Sequence, residues 1–146
     1  MARSIPKTAP RRSRLLYVED DAESLKLAEQ LIAGRRHLVL LHAADADLGI
    51  ELVRRKRPEA ILLNIDMPGP GGNSGAVEFM TRVRADPATE TTPILALSAN
   101  AAPDAVVKAL EAGFFQYLTK PMTAVPFMEA LDYALEFAAL ERAEHL

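Results

Sequence analysis

The sequence predicts an α/β fold: a doubly wound (βα)5 three-layer sandwich around a parallel five-stranded sheet. Three observations predict it. Short apolar runs recur at Leu15-Leu16-Tyr17-Val18, Leu38-Val39-Leu40-Leu41, Ala60-Ile61-Leu62-Leu63, Ile94-Leu95-Ala96-Leu97 and Phe115-Gln116-Tyr117-Leu118. Each is bounded by charge, Pro or Gly, too short for a helix and suited to a strand buried on both faces. The segments between them carry helical spacing, and strict alternation of the two demands parallel strands joined by right-handed helical crossovers.

Leu25, Ala28 and Ile32 form one face of the first helix, and Asp20 with Glu23 three residues later reads as its N-cap. Gly34 stands where a C-terminal cap belongs, and Pro58 stops the second helix. Pro103 suits the first turn of the fourth helix, Val106, Val107 and Leu110 make its apolar face, and Gly113 caps its end. Phe127, Met128, Leu131, Ala134, Leu135 and Ala138 form the core face of the last helix. That helix also carries Tyr133, Phe137 and Leu140 at i, i+4 and i+7, a second apolar stripe that calls for a partner surface, such as a homodimer contact.

Composition narrows the function. The 146 residues suffice for one core, and 49% hydrophobic with 25% charged residues is the balance of a globular chain. The absence of cysteine removes disulfides, thiolate catalysis and cysteine-ligated metal centres. No apolar run approaches the ~20 residues of a membrane span, so no membrane insertion and a cytoplasmic location are expected. Residues 1–14 hold Arg3, Lys7, Arg11, Arg12 and Arg14 without an acid, a charge of +5 that leaves −8 on the rest against −3 overall. Residues 1–13 therefore read as a flexible basic arm and 14–146 as one domain whose acidity argues against a nucleic-acid partner.

In an open parallel sheet, ligands bind at the carboxyl ends of the strands. Those ends read Glu19-Asp20-Asp21, Asn64-Ile65-Asp66, Ser98 and Lys120-Pro121. Adjacent carboxylates suit Mg²⁺, and a lysine with a hydroxyl opposite suits the oxygens of a phosphoryl group. Each residue alone has a plainer reading: Asp20 or Asp21 as a helix cap, Ser98 as a loop hydroxyl, Lys120 as a solvated strand end, Tyr117 as a packed aromatic. Their joint placement at four strand ends favours a site.

With those residues in view, the chain resembles the receiver domains of two-component response regulators, the chemotaxis-regulator-like family, above all those attached to hybrid histidine kinases. Leu16-Tyr17-Val18-Glu19-Asp20 matches the first strand and metal-binding acid pair. Ala96-Leu97-Ser98-Ala99-Asn100 matches the fourth strand with its Ser/Thr switch residue. Tyr117-Leu118-Thr119-Lys120-Pro121 matches the switch aromatic, the signature lysine and the proline after a cis bond. The resemblance spans roughly residues 13–138 and implies strand order 2-1-3-4-5, a phosphoryl pocket of Ser98 and Lys120, a switch of Ser98 and Tyr117, and a magnesium site of Glu19, Asp20 and the backbone carbonyl of Asp66. It further implies a histidine kinase or phosphotransfer protein as partner.

Two departures stand out. The family's phospho-accepting aspartate aligns with Asn64 in Leu63-Asn64-Ile65-Asp66-Met67-Pro68-Gly69, and an amide oxygen is no nucleophile toward phosphorus near neutral pH. Asp66 is a much weaker alternative acceptor. Loss of the charge should weaken the metal and deprive Lys120 of its main electrostatic partner. The second departure is the glycine-rich extension over 69–76, a candidate lid set against the plainer reading of a tolerated insertion.

The expected function is thus a non-enzymatic, receiver-type module of a two-component phosphorelay, a pseudo-receiver or an engineered variant of an ordinary receiver, that acts through partner binding or dimerisation. Two alternatives are weighed against it. A Mg²⁺-dependent phosphatase is suggested by the D-x-D-like Asn64-Ile65-Asp66, but it lacks a nucleophile with an adjacent base, and His37, His42 and His145 form no evident site. A nucleotide second-messenger module has only the basic arm in its favour.

Overall fold

A computed structural model describes residues 12–67 and 75–144. Among these, the chain runs β1 (Ser13–Val18), α1 (Ala22–Ile32), β2 (Leu38–Ala43), α2 (Ala46–Lys56), β3 (Ala60–Asn64), α3 (Ala76–Ala85), β4 (Ile94–Ser98), α4 (Pro103–Ala112), β5 (Gln116–Thr119) and α5 (Ala124–Glu144). All strand pairs are parallel and the order is β2-β1-β3-β4-β5. The basic arm up to residue 11, most of the glycine-rich extension (68–74) and His145 lie outside the described residues. No helix among the described residues is long and apolar enough to cross a membrane.

Period-two alternation sends successive strand residues to opposite layers. Leu16, Val18, Ile61, Leu63, Ile94 and Ala96 pack against Ile50 and Val53 of α2, Phe79, Met80 and Val83 of α3 and Ala109 of α4. Leu15, Tyr17, Leu62, Leu95 and Leu97 pack against Ala28 and Ile32 of α1 and Phe127, Ala130, Leu131 and Ala134 of α5. The three inner strands are apolar and shielded on both faces. At β2 the expectation of two buried faces fails: Leu38 to Leu41 are half-buried and His42 is exposed, because an edge strand meets only part of each covering layer. β5 behaves alike, with only Leu118 buried.

Other local expectations need correction. Asp21, not Asp20, caps α1, its carboxylate accepting from Ser24 N at 3.0 Å and Ser24 Oγ at 2.7 Å. These bonds hold the Asp21 carboxyl below its usual range. The C-cap of α1 is Ala33 in right-handed geometry, so Gly34 provides no left-handed cap. Helix α2 ends instead on Arg57 with φ 47°, just before Pro58. Gly113 fulfils its role, with φ 114° and its N–H on the carbonyls of Ala109 and Leu110. Val106, Val107 and Leu110 are not the buried face of α4; Ala109 is, and Val107 and Leu110 remain 51% and 46% exposed. Helical spacing puts Ala109 on the core side and leaves Val107 and Leu110 turned away from it. In α5, Met128 and Leu135 are only partly buried, while Ala130 joins the core.

The register places the strand tips together. Val18 pairs with Ala43 and Leu63, Asn64 with Leu97, and Ser98 with Thr119. The residues that end or follow β1, β3, β4 and β5 thus share one rim of the sheet.

Candidate functional site

Glu19 is the anchor of this rim. It is 1% exposed, and its carboxylate is met by four donors: Tyr17 O–H on Oε1 at 2.9 Å, and Asp20 N, Asp21 N and Asn64 Nδ2 on Oε2 at 3.0, 3.2 and 2.8 Å. Only such a full complement makes a buried carboxylate tenable. Tyr17 was legible as a strand residue but not as a partner for Glu19. The available signal was their i, i+2 spacing, which puts both on one face of an extended chain. Burial, reinforced by the charge and hydrogen bond of Glu19, raises the Tyr17 phenol well above its ordinary range. The folded chain therefore retains a proton that the unfolded chain gives up. The associated stability is present below the ordinary tyrosine range and lost as pH climbs through and beyond it. In an alkaline titration followed by phenolate absorbance, one of the three tyrosines should stay silent until unfolding, and Tyr17→Phe should abolish that late step.

Asn64, at the end of β3, is engaged at both ends of its amide. Nδ2 donates to Glu19, while Oδ1 accepts from Lys120 Nζ at 2.9 Å and from Asp66 N at 2.9 Å. The orientation of the amide follows from these partners. Lys120 precedes a cis bond to Pro121, as the resemblance implies.

Asp66 has a side-chain role that the resemblance did not imply. Beyond any use of its backbone carbonyl, its side chain reaches across to the ends of β4 and β5 while staying partly exposed. Oδ1 accepts from Ser98 Oγ at 2.7 Å, and Oδ2 accepts from Ala99 N at 2.8 Å and Lys120 Nζ at 3.3 Å. Partial burial works against the ionised form, but the bonds from Ala99, Ser98 and Lys120 outweigh it and hold the carboxyl below its usual range. Lys120 is accordingly not stripped of a charged partner, because Asp66 supplies one. Sequence periodicity could not show this, since the direction of a side chain in a turn is set by the turn's backbone.

Tyr117 joins the rim indirectly, its hydroxyl donating to Asn100 O at 2.6 Å. Ser98 Oγ in turn accepts from Asn100 N at 3.0 Å. His42, from β2, lies with Nε2 2.8 Å from Glu19 O. Glu19, Asn64, Asp66, Ser98 and Lys120 thus form one hydrogen-bonded group, with Tyr117 one residue removed. The Asp20 side chain takes no part in these bonds.

In this arrangement two of the oxygens a divalent cation would use are already engaged. Glu19 Oε2 accepts from three donors and Oε1 from one, Asn64 turns its NH₂ toward Glu19, and the Asp66 carboxylate faces Ser98 and Lys120. No group of three or more acidic, histidine or cysteine side chains fit for a metal occurs among the described residues. A hard cation needs several such oxygens at once.

Comparison with known proteins gives this rim a context. Residues 15–132 match the response regulator receiver domain family. The chain is 36% identical over 110 residues to the transcriptional regulatory protein CseB of Streptomyces avermitilis, a match covering 75% of this chain and 43% of CseB. It is 33% identical over 147 residues to the sensor histidine kinase AruS of Pseudomonas aeruginosa, covering 90% of this chain and 14% of AruS. The chain therefore spans less than half the length of these curated relatives. Among solved structures, the receiver domain of the P. aeruginosa sensor histidine kinase PA1611, with a magnesium ion coordinated in its active site cleft, is similar with a TM-score of 0.72 at 25% identity, covering 86% of this chain and 98% of that one. The chemotaxis protein CheY4 of Vibrio cholerae shares the fold, with a TM-score of 0.72 at 22% identity, over 85% of this chain and 99% of that one. With a family match across most of its length and the family's strand order in its sheet, the chain belongs to the response regulator receiver domain family.

Proposed function

We propose that this receiver domain signals without accepting a phosphoryl group on Asn64, and that its output depends on which partner it binds. The observation that carries the reading is the amide at the tip of β3, held between Glu19 and Lys120. A carboxylate there would offer an anionic oxygen to phosphorus, whereas an amide oxygen has its lone pair delocalised and forms no anion near neutral pH. Glu19, Asp20, Ser98, Lys120 and Tyr117 are the other family positions that the sequence retains. In this reading Glu19, Ser98, Lys120 and Tyr117 keep the rim ordered, and none of the five serves transfer chemistry. The module is non-catalytic, and its partner class is the histidine kinase or phosphotransfer protein, in line with the similarity to the kinase AruS.

Magnesium binding belongs to the same reading in weakened form. Asp20 and the backbone carbonyl of Asp66 would hold the ion, and Glu19 would have to give up donors to join them.

The test is chemical. Incubated with acetyl phosphate and Mg²⁺ and weighed intact, this chain should gain no phosphoryl group, and Asn64→Asp should gain one per molecule. A stoichiometric adduct on the unaltered chain would refute the proposal.

A second surface is proposed for association with another copy or a partner. Tyr133 and Leu140 on α5 are 58% and 63% exposed. Phe137, between them, is half-buried against Phe115, with ring centroids 5.3 Å apart. The apolar stripe is thereby narrowed to Tyr133 and Leu140. Sedimentation should show a concentration-dependent dimer that Tyr133→Ser with Leu140→Ser abolishes; a monomer at all concentrations would exclude the homodimer.

A further inference from the structure

The most unusual element of the rim is the Asp66 carboxylate. Three donors of different kinds converge on it: the Ser98 hydroxyl, the Ala99 main-chain N–H and the Lys120 ammonium. They come from the ends of β4 and β5, while Asp66 comes from the segment after β3. A hydroxyl, an amide N–H and an ammonium aimed at one point make a cradle for the oxygens of an anion. Here the chain's own side chain lies in that cradle.

The bonds continue outward from it. Ser98 Oγ donates to Asp66 and accepts from Asn100 N. Asn100 then accepts twice, its main-chain oxygen from the Tyr117 hydroxyl at 2.6 Å and its Oδ1 from Ala102 N at 3.0 Å. Ala102 is the N-cap residue of α4. A connected series of hydrogen bonds therefore runs from Asp66 to the start of α4 and to β5. Asn64 assists. It is uncharged, so its Oδ1 shares Lys120 with Asp66 without competing for it as a second carboxylate would.

We propose that Asp66 is a tethered anion that occupies the donor cradle of Ser98, Ala99 and Lys120, fixes the 98–102 segment and Tyr117 in one arrangement, and excludes free oxyanions such as phosphate. The tether explains how a single carboxylate prevails. Held a few residues from its anchor on β3, it meets the donors at an effective concentration of millimolar or above, which a dissolved anion must exceed. The proposal rests on the reading that Asn64 carries no phosphoryl group, since such a group would compete for the same donors.

The test uses the unphosphorylated full chain and inorganic phosphate as probe. In Asp66→Ala, the amide resonances of Ala99 and Asn100 and the ring resonances of Tyr117 should move. Added phosphate should then bind at least about tenfold tighter than to the unaltered chain, read from the Ala99 amide. Lys120→Met in the same background should abolish that gain. A merely structural aspartate would not create an anion site when removed. Should the alanine variant fail to fold, Asp66→Asn, which keeps the shape and drops the charge, is read by the same criteria. Unmoved Ala99 and Asn100 amides, or phosphate affinity no better than that of the unaltered chain, would overturn the proposal. Neither readout involves acetyl phosphate, so failure here leaves the Asn64 reading standing, and phosphorylation of the unaltered chain would be seen separately by mass.

Discussion

Glu19→Ala should lower the unfolding free energy by about 3–5 kcal/mol, combining orphaned buried donors at about 1–3 kcal/mol each with a cavity at the tip of β1. Four donors converge on this carboxylate, and they do not suffer equally. The main-chain N–H groups of Asp20 and Asp21 belong to exposed residues, and water can replace their acceptor. The Tyr17 hydroxyl and the Asn64 amide are buried and have no such recourse. A urea unfolding series would measure the loss. Adding Tyr17→Phe to the alanine variant should recover part of it, because a phenyl ring leaves no donor to satisfy; such coupling is expected of residues in direct contact. Asp20→Ala, by contrast, removes an exposed carboxylate and should stay within about 0.5 kcal/mol of the unaltered chain. If Glu19→Ala were equally mild, the carboxylate would not be the anchor described above.

Asn64→Asp should restore chemistry and cost stability at once. The 2.8 Å bond from Asn64 Nδ2 to Glu19 Oε2 would become a contact between two carboxylate oxygens. Like charges at that distance cannot both ionise freely, so one pKa rises and the pair titrates as a unit. At neutral pH without divalent cations the variant should lose about 1–3 kcal/mol, the penalty of an unsatisfied charged group. Millimolar Mg²⁺ should return that stability, because an ion that binds only the folded chain stabilises it by mass action. The unaltered chain, with its amide already bonded to Glu19, should show little response to the ion. Thermal unfolding of both proteins with and without Mg²⁺ would decide the matter, and an equal response in the two would count against the weakened site.

How much of this was legible in the sequence depends on what each residue answers to. The strand tips were legible because burial on both faces leaves a readable mark, and Glu19, Asn64 and Ser98 directly end or follow such runs, while Lys120 comes just after the half-buried β5. The helices were legible as elements but not always in orientation. For α4 the large apolar residues suggested a buried face, yet Ala109 is the residue that joins the core. At α1 two neighbouring aspartates offered a cap, and backbone geometry chose Asp21. The Asp66 side chain was the least legible, because its direction depends on turn dihedrals for which neither period two nor period 3.6 has a signature. Tyr17 was open to reading: a phenol two residues before an acid on a buried strand needs somewhere to put its proton.

The pairing of Asn64 with Leu97 and of Val18 with Leu63 has a broader implication. The polar rim is carried on an apolar floor whose alignment is fixed by side-chain alternation, and slipping one strand by a single step would turn its core set toward the wrong layer. The floor therefore polices spacing, while it is indifferent to which polar group sits at each tip. One tip residue can thus be exchanged for another, as Asn64 for an acid, without redrafting the frame that carries it.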